Sequence, residues 1–196
     1  MTLSTVLKGV LLTLASSLAS AQAAMHNGKE VQGTSGWLHV SGGMQEPACR
    51  VAMASRWQTI SLPSVGTDTL LNPGDRAETT PFFIRLEGCL RAAGAVSDRN
   101  NNTVLWSDWQ PIATLTFSGE ADANVRSLFA VMGVKGVGLR LQDARGKAVL
   151  PGVKGHPLYL TPGENVLYYK LTPERTTAEL QAGHYTAVLD FKIDYQ

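Results

Sequence analysis

The chain has little of what enzymes and metal proteins use. Its only histidines, His26, His39, His156 and His184, are scattered and sit beside no carboxylate or cysteine pattern. No Gly-x-Ser-x-Gly nucleophile motif occurs. Gly146-Lys147 lacks the upstream glycine and the hydroxyl residue of a phosphate-binding loop. We therefore expect no catalytic site, no metal, no cofactor and no small-molecule substrate.

The chain also has no block of like charge. It carries 17 Lys and Arg against 16 Asp and Glu, a formal net charge of +1. Loss of Lys8 with the N-terminal segment described next brings this charge to zero. Nucleic acids and anionic membrane surfaces bind clustered basic side chains. Neither is therefore expected as a partner.

The N-terminus has the pattern of a secretion signal. Lys8 precedes an apolar run from Gly9 to Leu18, which is followed by the small-x-small sequence Ala19-Ser20-Ala21. The run is shorter than the roughly 20 residues that a membrane-spanning helix needs. We expect residues 1–21 to be a signal peptide cleaved after Ala21, with Ala23 as the second candidate.

The chain has two cysteines, Cys49 and Cys89. In an exported protein an even pair favours one disulfide. The enclosed loop of about 40 residues would stabilise the fold by roughly 3–4.5 kcal/mol on the chain-entropy model. Two buried thiols are the alternative.

The last residues alternate between apolar and mostly polar side chains. The apolar positions are Tyr185, Ala187, Leu189, Phe191, Ile193 and Tyr195. A period of two over eleven residues predicts a β-strand with one face in a core. No strand follows it, so a free edge of this strand would be open to another chain. The alternative is an ordinary strand that is paired on both sides in a complete sandwich.

Similar patterns predict an all-β protein. Further strands or extended stretches are predicted at 36–44, 49–53, 57–62, 82–89, 112–117, 137–141, 147–150, 157–160 and 165–171. Loops are predicted at 63–81 and 91–103, a short helix or strand at 120–131, and a flexible polar arm at 22–35. Turn signals every 8–15 residues or so, with hardly any helix, indicate a β-sandwich.

These features together resemble the pilin subunits of chaperone–usher fimbriae. Gly183 stands fourteenth from the C-terminus and Tyr195 is penultimate, as in that family's C-terminal signature. The stretch 36–42, seven residues before Cys49, is similar to the family's first strand and first cysteine. Phe82-x-Ile-x-Leu-x-x-Cys89 is similar to the strand that carries the second.

The resemblance runs over about residues 36–196 and implies an incomplete immunoglobulin-like β-sandwich that lacks its last strand, with one disulfide. It implies that a periplasmic pilus chaperone, and later the N-terminal arm of a neighbouring pilin, adds the missing strand. An outer-membrane usher and export through the periplasm to the cell-surface fimbrium are implied as well. The groove residues would be Gly183, Tyr185, Ala187, Leu189, Phe191, Ile193, Tyr195 and Gln196.

The arm at 22–35 would be this subunit's own donor strand, ahead of a pilin domain at 36–196. One register presents Met25, Asn27, Lys29, Val31 and Gly33. The other presents Ala24, His26, Gly28, Glu30 and Gln32. We prefer the first register, because Met25 and Val31 are able to fill apolar pockets.

The resemblance also bears on the position in a fibre. Segments 47–53, 57–58 and 182–195 look most like the minor subunit that terminates and anchors P pili, in which one pocket of the groove is closed to a donor. A shaft subunit is the alternative. Trp106 and Trp109 raise a third possibility, a carbohydrate-binding module, although such a pair more often plugs the end of a sandwich.

Overall fold

The structure is a computed structural model that describes residues 34–44, 46–98 and 101–196. The chain divides into two units, residues 1–43 and 44–196. The predicted signal peptide and the donor-arm residues Met25, Asn27, Lys29, Val31 and Gly33 lie outside the described residues.

The predicted strand over 36–44 is wrong. The side chains of Trp37, Leu38 and Val40 are 99%, 87% and 84% exposed, and none of these residues is in a strand. Their alternation is present, but an extended segment that joins no sheet gains neither ladder hydrogen bonds nor a buried face.

The second unit is built almost entirely of short strands. In chain order they are β1 (Arg50–Val51), β2 (Thr80–Cys89), β3 (Gly94–Asp98), β4 (Thr103–Ser107), β5 (Ile112–Ser118), β6 (Phe129–Ala130), β7 (Val137–Asp143), β8 (Ala148–Val149), β9 (Leu158–Tyr159), β10 (Gly163–Arg175) and β11 (Asp190–Tyr195). The described helical elements are α1 (Met53–Arg56) and a 3₁₀ turn at Thr67–Thr69.

Two of the sheets face each other. One has the order β1-β2-β10-β7-β6, with β8 added to β7, and the other has the order β11-β5-β9. All the pairs are antiparallel. Strands β3 and β4 form a separate hairpin. The architecture is the predicted β-sandwich.

The core lies between the two larger sheets. Ile84 of β2 and Leu141 of β7 are fully buried, and they belong to one apolar cluster with Leu115 and Phe117 of β5. The Phe117 ring lies 4.8 Å from that of Tyr169 on β10, so aromatic packing links the sheets. These inward side chains occupy alternate positions of their strands, as the period of two requires.

A disulfide joins Cys49 to Cys89, as predicted. It ties the chain just before β1 to the end of β2, and both residues are buried in the core cluster. The amide of Asn165 donates a hydrogen bond to Cys89 Sγ at 3.2 Å.

Three local predictions need correction. Residues 49–53 are extended only at β1, because α1 begins at Met53. Residues 57–62 form no strand, although Ile60 and Leu62 do pack inward against the core. Residues 91–103 are not simply a loop, since they hold β3 and the start of β4.

No helix among the described residues is long and apolar enough to cross a bilayer.

Candidate functional site

The C-terminal segment keeps the predicted alternation but only half of the predicted strand. Continuous ladder pairing begins at Asp190. In 185–189 the predicted strand is reduced to one isolated antiparallel bridge, between Thr186 and Met132. Burial nevertheless alternates from Tyr185 to Ile193, because the odd-numbered side chains pack against the core, whereas Asp194 is half-buried as well. These side chains are Tyr185, Ala187, Leu189, Phe191, Ile193 and Tyr195.

Among the residues that the structure describes, the backbone of β11 is paired on one side only. Ile112 N–H donates to Gln196 O at 3.0 Å and Gln196 N–H donates to Ile112 O at 2.9 Å. In an antiparallel ladder these mutual bonds recur at every second residue, so the even-numbered residues bond β5. The N–H and C=O groups of the odd-numbered residues therefore point to the other side, where β11 is the edge of its sheet.

Even-numbered residues also bond on this side nearer the start of the segment. Thr186 N–H donates to Met132 O at 3.0 Å, and Met132 N–H donates to Thr186 O at 2.8 Å. Thr186 is an even-numbered residue, so Met132 occupies the side that β5 occupies further along. From Tyr185 to Tyr195 no described strand pairs with the other side of the segment. We call this stretch the free edge; it is about twice as long as β11 itself.

An apolar groove of about 1200 Å³ lies beside this edge as far as Phe191. The predicted groove residues Ile193 and Tyr195 pack against the core but do not line this groove. One wall is the segment 57–66 and the other is 180–191. Its floor is formed by core side chains of both sheets, among them Ile84 and Phe117. The Phe191 ring lies 6.1 Å from that of Phe117, which joins the wall to the floor.

The groove presents apolar surface and backbone groups, with few charges. Burial raises the pKa of the Tyr185 and Tyr195 hydroxyls above the ordinary value for tyrosine. The Tyr185 hydroxyl is buried and has no hydrogen-bond partner among the described atoms. Such a surface is suited to binding an extended apolar strand.

The remaining predicted groove residues flank this edge. Gly183 lines the groove, and a Cβ added there would lie 3.2 Å from Val134 Cγ1. Gln196 closes the pairing with Ile112. Its carbonyl oxygen would lie 2.4 Å from a Cβ at Gly94, so only glycine fits beside the C-terminus.

Sequence reasoning missed two parts of this site. The wall at 57–66 was predicted to be a strand and then a loop, and the support at 131–136 was not recognised. The sequence signal for the segment 131–136 was its two glycines, Gly133 and Gly136. In the structure both adopt positive φ, which glycine allows.

The two tryptophans of the predicted sugar-binding pair are exposed. Trp106 and Trp109 are 66% and 51% exposed, so they do not plug the end of the sandwich. Trp106 lies on β4, and its carbonyl oxygen accepts a hydrogen bond from the Tyr159 hydroxyl at 3.4 Å. No group of three or more His, Cys, Asp or Glu arranged for a metal ion occurs in 34–44, 46–98 or 101–196.

Comparison with known proteins places this groove in context. The model of the fimbrial protein family matches residues 38–196. The chain is 32% identical to the PRS fimbrial minor pilin protein and 31% identical to the PAP fimbrial minor pilin protein, both of Escherichia coli. Each alignment covers 79% of this chain and 74% of the relative. The fold is similar to the crystal structure of the P pilus rod subunit PapA, with a TM-score of 0.62 and 23% identity over 76% of this chain and 100% of that one. The chain belongs to the fimbrial protein family, whose members are structural pilin subunits and not enzymes.

Proposed function

We propose that this protein is a minor structural subunit of a chaperone–usher fimbria that is completed by a strand from another polypeptide. The observation that carries the proposal is the backbone edge from Tyr185 to Tyr195, with which no described strand pairs, and the apolar groove that lies beside it as far as Phe191. An added strand would take up the free N–H and C=O groups and place alternate side chains in the groove.

Energetics favour such an addition. Full burial of an exposed apolar side chain contributes roughly 1.5–3 kcal/mol. The edge side chains are already half-buried, so completing the burial of five or six of them gives about 4–9 kcal/mol as an upper estimate. This is comparable with the whole stability of a domain, roughly 5–15 kcal/mol. The subunit without an added strand is therefore expected to be unstable or to self-associate.

The proposed partners follow from this requirement. A periplasmic pilus chaperone supplies the strand first, an outer-membrane usher receives the subunit, and neighbouring pilins contact it in the fibre. Within the fibre we assign the protein to the terminating or anchoring position at the base. Its similarity to two relatives named minor pilins supports this assignment, as does the resemblance of 182–195 to the P-pilus terminator.

The terminating position predicts slow exchange of the bound chaperone. Mixing the chaperone-bound protein with the N-terminal arm peptide of a shaft subunit is expected to leave the chaperone in place for hours. The measurement is chaperone release followed by size-exclusion chromatography. A shaft subunit's own chaperone complex, treated identically, is the positive control. Release at the control's rate would assign this protein to the shaft.

The exposed tryptophans support a second candidate function, carbohydrate binding. Trp106 and Trp109 offer accessible indole surfaces that suit the apolar face of a sugar ring. If this function exists, a glycan array gives a signal that Trp106→Ala removes while leaving chaperone retention intact. Trp37→Ala, which changes another exposed indole that does not line the groove, is the matched control. An array without signal would eliminate the candidate.

A further inference from the structure

The free edge rests on two different supports. From Asp190 onwards it is backed by β5, which lies in the middle of its sheet. Before that it is backed by the segment 131–136, which bonds the edge at Thr186. The same segment also bonds Gln181, which precedes the edge and whose N–H donates to Lys135 O at 3.0 Å. The first half of the edge thus depends on a segment that is not part of the β5 sheet.

The backbone of 131–136 lies so close to the backbone of 179–184 that two positions of this support require glycine. Gly133 has φ 101°, and a Cβ there would lie 2.3 Å from His184 O. Gly136 has φ 79°, and its Cβ would lie 2.7 Å from Glu179 O. L-residues with side chains rarely adopt such φ values, so both the conformation and the space require glycine.

Arg175 holds this segment to the chain that leads into the edge. Its Nη1 donates to Gly136 O at 3.1 Å and to the carbonyl oxygens of Thr176 and Ala178. Thr176 N–H also donates to Gly136 O, at 2.9 Å, and Thr176 is fully buried. One guanidinium group therefore joins 131–136 to 176–178, directly before the groove wall begins at Leu180.

We propose that Arg175 is a positioning residue for strand addition. By fixing 131–136 it decides whether an incoming strand pairs along the whole edge from Tyr185 or only along β11. Val134 contributes on the groove side, since it lines the groove next to Gly183. This inference rests on the proposed function, because it concerns the same groove.

Residue-resolved hydrogen exchange tests the proposal. The mature chain is refolded with an eleven-residue peptide in which valine and threonine alternate, and exchange is followed at the free-edge amides. In Arg175→Lys with the peptide bound, exchange at Tyr185, Ala187 and Leu189 is expected to rise about tenfold, as expected for losing hydrogen bonds to a charged group. Exchange at Phe191, Ile193 and Tyr195 is expected to stay unchanged.

Two further variants make the result decisive. Arg76→Lys changes another arginine that contacts the end of β10, through Glu174, and is expected to leave all six amides unchanged. Val134→Ala leaves the backbone and Arg175 unchanged and is expected to raise exchange only at Tyr185, Ala187 and Leu189. It replaces Arg175→Lys in the experiment if that variant does not fold. Equal change at all six amides, or no change at any, would overturn the role of Arg175. An absence of protection in the wild-type protein would instead contradict the proposed function.

Discussion

Ile193→Asp is expected to lower the affinity for an added strand more than about 100-fold. Ile193 lies at the middle of β11, opposite Leu115, and packs against the core. A carboxylate at this position would be enclosed by the added strand without a positive partner, and an uncompensated buried charge costs about 3 kcal/mol or more. The measurement is binding of the alternating valine–threonine peptide, together with the amount of chaperone that co-purifies from the periplasm.

The control introduces the same carboxylate on the other face of the same segment. Val188 is 72% exposed and occupies an even position, so Val188→Asp places the charge in water. Its effect on affinity is expected to stay within about twofold, as for most surface substitutions. Equal losses in Val188→Asp and Ile193→Asp would mean that the face of the segment does not matter, which contradicts the groove.

The faces of Ile193 and Val188 could be predicted from the sequence, but their strand pairing could not. Alternation assigns each residue to a face, and the faces of Ile193 and Val188 are correct in the structure. Alternation does not say whether a partner strand is present. This is why 185–189 and 36–44 were predicted as strands, although 185–189 has one isolated bridge and 36–44 pairs with no described strand.

Hairpin β3–β4 was missed for the opposite reason. Its residues are polar or small on one strand, as at Ala95 and Ser97, so their hydrophobic period is weak. The pairing of Val96 with Leu105 becomes visible only in three dimensions. The groove depends likewise on long-range packing, since its walls at 57–66 and 180–191 are more than 100 residues apart in the sequence.

Glu174→Gln is expected to lower the free energy of unfolding by about 3–5 kcal/mol at neutral pH, because it breaks a buried ion pair and leaves a cation unpaired. The Glu174 side chain is 6% exposed and that of Arg140 is 16% exposed. Arg140 Nη2 donates to Glu174 Oε1 at 2.6 Å, and Arg76 Nε donates to Oε2 at 2.8 Å. Urea unfolding of the peptide-complemented protein measures the change. Glu164→Gln, which alters an exposed pair with Arg85, is the control, with an expected cost below about 1 kcal/mol.

The contribution of Glu174 should also depend on pH in one direction. The hydrogen bond from Arg140, followed by that from Arg76, holds the pKa of the Glu174 carboxyl below its ordinary value of 4.5. A group whose pKa is lower in the folded state stabilises the fold above its unfolded pKa, and this stability is lost as the pH falls through the folded value. The difference between wild type and Glu174→Gln should therefore be constant above about pH 5 and shrink steadily in more acidic urea titrations. A difference that persists unchanged to pH 2 would show that the loss in Glu174→Gln comes from packing and not from the carboxylate charge.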